Sequence, residues 1–193
     1  MITQNVSAFL ASCYGFTRRR ICGVVQAALL VIVGLVETPE ATASDSDDWA
    51  ALQLLGREIA LGTKSKFPLI PDRSFEASYL NMPVFVARGS SPGPTLCLAA
   101  GVHGDELNGV EVARRAFAGS DPEQLRGTLI ALPAVNATGV RSGSRYLPDR
   151  RDLNRAFPGR VGGSVAAVIA YAISANVLPL CDALVDLHTA SNN

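Results

Sequence analysis

The chain has 193 residues, 48% of them hydrophobic, with 17 basic side chains against 17 acidic ones. That balance implies no polyanion-binding character, while the apolar content suffices for one packed domain.

From the N-terminus, a largely uncharged stretch is followed by Arg18, Arg19 and Arg20, then by the apolar run 21–36, then by Ala41-Thr42-Ala43. A basic block, a short apolar core and a small-x-small site describe a secretory signal over residues 1–43. The alternative is an uncleaved anchor, for which the run is short against the about 20 residues of a membrane span. Thr17 to Ile21 also loosely resembles a twin-arginine export signal. The expectation is therefore an exported protein, periplasmic or extracellular, with no membrane contact once the signal is removed.

Residues 44–72 read as a lead-in with a short helix around Trp49 to Leu61, and residues 73–193 as one α/β domain. Within the domain, Ser74 to Arg88 alternates as a strand, Ser-Ser-Pro-Gly-Pro (90–94) is a turn, and Thr95 to Ala100 is a continuous apolar strand. Asp105 to Ala118 carries the helical spacing of Leu107, Val110, Val112, Ala113 and Phe117. Gly127 to Val135 is a strand, 136–161 a long Gly-, Arg- and Pro-containing loop of the kind that is usually functional. Ser164 to Leu178 is a second helix, stopped by Pro179, and Ala183 to Leu187 a further strand. Alternating strands and helices predict an α/β fold with a mostly parallel or mixed sheet flanked by helices. Cys97 and Cys181 both lie in apolar strand-like runs and are expected to be buried free thiols.

The chain has only two histidines, and each follows one of the apolar strands. His103 stands in Gly-Val-His-Gly-Asp-Glu (101–106) and His188 in Asp-Leu-His-Thr-Ala (186–190). In open α/β sheets, ligands bind beyond the carboxyl ends of the strands. Glu106, one helical turn from His103, completes two imidazoles and a carboxylate, a recurring set for catalytic zinc that leaves a fourth position to water. Water in such a position is acidic, with a pKa near about 7 in favourable sites. The same ligands would also accept cobalt or manganese. Between the histidines, Asp152-Leu153-Asn154-Arg155-Ala156-Phe157-Pro158-Gly159 brings an amide and a guanidinium suited to a carboxylate, and an aspartate suited to fix a histidine tautomer.

Together, 101–106, 152–159 and 186–190 resemble the succinylglutamate desuccinylase/aspartoacylase family, a branch of the zinc carboxypeptidase superfamily. The resemblance covers roughly residues 80–193 and rests on the order and rough spacing of all three segments. It implies a zinc carboxypeptidase-like fold and one Zn2+ per chain on His103, Glu106 and His188. It also implies substrate-carboxylate binding by Asn154 and Arg155, with Asp152 behind His103. A loop arginine that polarises the substrate carbonyl is implied as well, for which Arg145 is the candidate and Arg151 the alternative. The family's general base is a glutamate on a strand well downstream of the third ligand. No residue up to Asn193 matches it, so the domain is expected to be C-terminally incomplete.

The function expected on these grounds is zinc-dependent hydrolysis of an amide bond in an acylated amino acid or peptide-like substrate with a free carboxylate. The alternatives are an exported zinc carboxypeptidase or peptidoglycan amidase, and an inactive zinc-binding remnant.

Overall fold

A computed structural model of the protein describes Trp49, residues 51–71 and residues 81–189. The signal reading over residues 1–43 lies outside these residues, as does the first part of the strand expected from Ser74.

Where a short helix was expected, the chain forms a hairpin of β1 (Leu52–Leu54) and β2 (Arg57–Ile59). Leu55 and Gly56 form its two-residue turn, with φ of 54° and 71°. Two consecutive positive φ values suit a tight hairpin turn and interrupt any helix. Leu54 and Ile59 are buried against the main sheet, so tertiary packing overrides the local helical pattern.

The lead-in also supplies β3 (Thr63–Leu69), which pairs antiparallel with β4 (Met82–Arg88). β5 (Ser91–Ala100), α1 (Leu107–Gly119), β6 (Arg126–Leu132), α2 (Ala137–Ser142), α3 (Val165–Asn176) and β7 (Ala183–Leu187) follow. The sheet order is β3-β4-β6-β5-β7, with β6, β5 and β7 mutually parallel and β4 antiparallel to β6. The sheet is thus mixed and flanked by helices, as expected.

Three local readings change. β5 begins at Ser91, inside the expected turn, and its register against β6 shifts between Ser91 and Thr95. Pro92 and Pro94 donate no backbone hydrogen bond, so the ladder is irregular there before it becomes regular at Thr95. The loop 136–161 contains α2 and a 3-10 turn over Leu153–Arg155. Asn136 opens α2 by accepting from the Gly139 amide (2.8 Å), and Gly143 closes it at φ 62°. A six-residue helix is too short to show an apolar period, so its caps are the main local signal.

The third change concerns the cysteines. Cys97 and Cys181 form a disulfide with Cα atoms 5.7 Å apart, rather than remaining free thiols. The pairing of β5 with β7 brings together residues separated by 84 positions. Their separation in sequence gave no sign of that approach, which falls within ordinary disulfide range.

Strand alternation sorts the core onto two faces. Cys97, Ala99, Ile130 and Leu132 join α3 and the hairpin on one face, while Leu98, Ala100, Leu129 and Ala131 pack with Ala113 and Phe117 of α1 on the other. Among the described residues no helix is long and apolar enough to cross a membrane.

Candidate metal centre

The site forms where the parallel strands β5 and β7 end side by side, with Ala100 opposite Leu187. His188 directly follows β7 and His103 lies in the turn leaving β5, so the strand pairing itself makes neighbours of two residues far apart in sequence. Gly101 turns the chain out of β5 at φ 63°. Gly104 is required for a different reason: a Cβ there would lie 2.0 Å from the carbonyl carbon of Gly139. The Gly104 amide also donates to the Ser144 carbonyl at 3.1 Å, which ties the histidine turn to the end of α2.

Glu106 is the N-cap of α1 rather than a residue of its first turn, and its side chain does not cap the helix. Its carboxylate instead faces the two imidazoles. Nδ1 of His103 lies 2.8 Å from Oε1, and Nδ1 of His188 lies 2.9 Å from Oε2. The Thr189 amide donates to Oε2 at 3.0 Å. Both His103 and Glu106 are 4% exposed, while the His188 side chain keeps 27% of its surface. The cluster is therefore closed on the β5 side and open on the β7 side.

Each imidazole is held from behind by a second carboxylate. Asp152 Oδ1 is 3.1 Å from Nε2 of His103 and also accepts from the Asn154 amide at 2.9 Å. Asp186 Oδ2 is 2.8 Å from Nε2 of His188. This second pairing was not anticipated, although its signal was present: residues i and i+2 of an extended chain point the same way, as Asp186 and His188 do. The Asp186 hydrogen bond is the main cause that pushes the His188 pKa up to about 9, with Glu106 adding to it and burial opposing it.

Arg145 reaches the same cluster, with Nη1 3.4 Å from Glu106 Oε1 and Nη2 3.6 Å from Asp152 Oδ2. Arg151 points elsewhere: it pairs with Asp149 at 3.5 Å and its side chain is 63% exposed. Asn154 and Arg155 form the 3-10 turn after Asp152, half-buried and exposed respectively. The hydrogen bonds that tie this turn to the cluster run through Asp152.

One ligand atom each from His103, Glu106 and His188 lie within 4.8 Å of one another, the one such group of three among the described residues. Two imidazole nitrogens and a carboxylate oxygen match the nitrogen and oxygen preference of zinc, and both rings turn the same nitrogen inward while an aspartate fixes the other. The residues present therefore fit the ion.

Residues 92–193 match the succinylglutamate desuccinylase/aspartoacylase catalytic domain. An N-alpha-acetyl-L-2,4-diaminobutyric acid deacetylase of Halomonas elongata is 34% identical over 125 residues, covering 64% of this chain and 36% of its own length. The crystal structure of an aspartoacylase family protein from Mesorhizobium loti is similar with a TM-score of 0.60 and 38% identity, covering 65% of this chain and 40% of that one. A product-bound ectoine utilization protein from Ruegeria pomeroyi gives a TM-score of 0.57 and 34% identity, covering 68% and 42%. The chain thus spans well under half the length of these relatives. With the match extending over more than half of its residues, the chain belongs to the succinylglutamate desuccinylase/aspartoacylase family.

Proposed function

We propose that the protein is a zinc-dependent hydrolase that cleaves the amide bond of an acylated amino acid bearing a free carboxylate. The observation that carries this reading is the Glu106 carboxylate set between the Nδ1 atoms of two imidazoles, each braced from behind by its own aspartate. His103, Glu106 and His188 would hold one zinc ion, which when bound supplies the Lewis acidity that polarises a carbonyl and acidifies water. Asp152 and Asp186 keep the two rings oriented and basic. The Arg145 guanidinium, at the rim of the cluster, is placed to donate to an oxygen that becomes negative as the amide is attacked. Asn154 and Arg155 receive the substrate carboxylate, the guanidinium through paired hydrogen bonds. The deacetylase from Halomonas elongata, whose named substrate is an acetylated amino acid, supports this substrate class.

The Cys97–Cys181 disulfide supports export to the periplasm or the cell exterior, since such bonds persist in oxidising compartments. It agrees with the signal reading of residues 1–43.

The test is amine release from a panel of N-acyl amino acids by the zinc-loaded, full-length gene product. Arg145→Ala is expected to lower kcat by about 10²–10³-fold, as for loss of one oxyanion donor, while zinc stays bound; Arg151→Ala leaves the rate near the parent's. A zinc-loaded protein that releases amine from none of the panel overturns the substrate assignment. Zinc binding that survives the double substitution His103→Ala, His188→Ala overturns the metal site.

A further inference from the structure

We propose that the Cys97–Cys181 disulfide is a positioning crosslink for the metal centre, so that the redox state of this sulfur pair sets metal affinity. The inference rests on the zinc reading above and concerns which compartment lets the site form.

The bridge joins the two strands that carry the histidines. Cys97 lies within β5, which runs on to His103, and Cys181 lies just before β7, which runs on to His188. Disulfide and metal site therefore close nearly the same long loop of chain, one at the start of the β5–β7 pairing and one at its end. Whichever closes first removes most of the loop-closure entropy that opposes the other.

β7 is the strand that this bridge ties to β5. It has five residues, and none is fully buried. Among the described strands it pairs with β5 alone. Val185 is exposed, as are Ala183 and the Leu96 opposite it. Two side chains tie β7 to the body of the domain, Leu184 packing on one core cluster and Leu187 on the other. Ahead of β7, Asp182 adds two hydrogen bonds to Thr95, from its amide to the carbonyl (3.0 Å) and from the Thr95 amide to Oδ2 (2.8 Å). Among these links the disulfide is the covalent one. β7 delivers both His188 and the Asp186 that orients it, so an undocked β7 removes one ligand and its brace together, leaving His103, Glu106 and Asp152 in place.

A dithiol reductant opens the bridge. Two electrons and two protons pass to the sulfur pair, the S–S bond breaks to two thiols, and the dithiol closes to its own disulfide. In the reduced chain the ligand set is complete only in the fraction of molecules with β7 docked, and apparent affinity falls by that fraction. A chain held in a reducing compartment would thus load metal poorly, and the same chain after export would load it well.

The experiment compares zinc affinity of the oxidised chain, the reduced chain after removal of the reductant, and the same sample reoxidised, using a competing chromophoric chelator. Cys97→Ala, Cys181→Ala serves as a permanently open form whose missing thiols cannot bind zinc themselves. Far-UV circular dichroism and amide exchange of Val185, Asp186 and Leu187 are followed in each form. The expected result is an affinity at least about tenfold weaker in the reduced and double-alanine chains, corresponding to β7 docked about a tenth of the time or less. Their overall circular dichroism is retained, exchange in β7 is faster, and reoxidation restores tight binding. Equal affinity in oxidised and reduced chains overturns the proposal, and so does global unfolding of the double-alanine chain, since the bridge would then act on the whole domain rather than on β7. An oxidised chain that binds no zinc refutes the zinc reading itself, a result distinguishable from both.

Discussion

Asp152 and Asp186 play matching parts at the scale of single residues: each holds the outer nitrogen of one histidine and leaves Nδ1 facing Glu106. Partners of this kind orient ligands and raise their basicity, and their loss typically costs about 10–100-fold in metal affinity. Asp152→Asn and Asp186→Asn are each expected to weaken zinc binding within that range in a chelator competition, with the fold unchanged. Protonation adds a second expectation. In the metal-free chain the His188 pKa is pushed up to about 9, chiefly by Asp186, so the ring is protonated at pH 7. An imidazole must be neutral to ligate a metal, so loading at pH 7 expels this proton. Apparent zinc affinity should then rise with pH from 7 and level off near 9. Calorimetric titrations in buffers of different ionisation heat should show close to one more proton released by the parent than by His188→Gln. His103, Glu106 and His188 were legible from residue type and placement alone. Arg145 could not be separated from Arg151 in the same way, because the choice depends on where two guanidiniums of one loop point, which only the folded loop decides.

Among the elements, the turn from β5 into α1 and the short helix α2 form one packed unit. Gly104 lets their backbones touch, and its amide bonds the Ser144 carbonyl beside Arg145. Gly104→Ala would drive a methyl group into the Gly139 backbone and force the two segments apart. Overpacking of this kind costs about 1–3 kcal/mol, to be read from the urea unfolding midpoint, and weaker zinc binding should accompany it because His103 adjoins the displaced residue. The strongly patterned elements, α1, α3, β6 and β7, lie within a few residues of their sequence readings. The hairpin β1–β2 and α2 were not legible, for separate reasons. The hairpin is set by a Leu-Gly turn and by burial of Leu54 and Ile59 on a sheet formed later in the chain, and α2 by its caps rather than by any apolar period.

For the molecule as a whole, the candidate ligands come from three elements that meet at one end of the sheet: His103 follows β5, Glu106 opens α1 and His188 follows the neighbouring β7. A ligand that binds only the assembled site stabilises the fold by mass action, by about 2.7 kcal/mol at a free concentration 100 times the Kd. Zinc is therefore expected to raise the Tm and a chelator to return it to the metal-free value, with His103→Ala insensitive to both. The sequence by itself determined the kinds of element, the α/β class and the residues able to bind a metal, because hydrophobic period, strand-end placement and side-chain chemistry are local properties. Tertiary structure alone decided that β5 and β7 are neighbours, and several features follow from that one pairing. It brings His188 to Glu106, bonds Cys97 to Cys181 and sets Asp186 at the site. The physical reason is that strand order is fixed by how two faces of apolar side chains bury together across the whole domain. That sum over distant residues has no signature in any single segment.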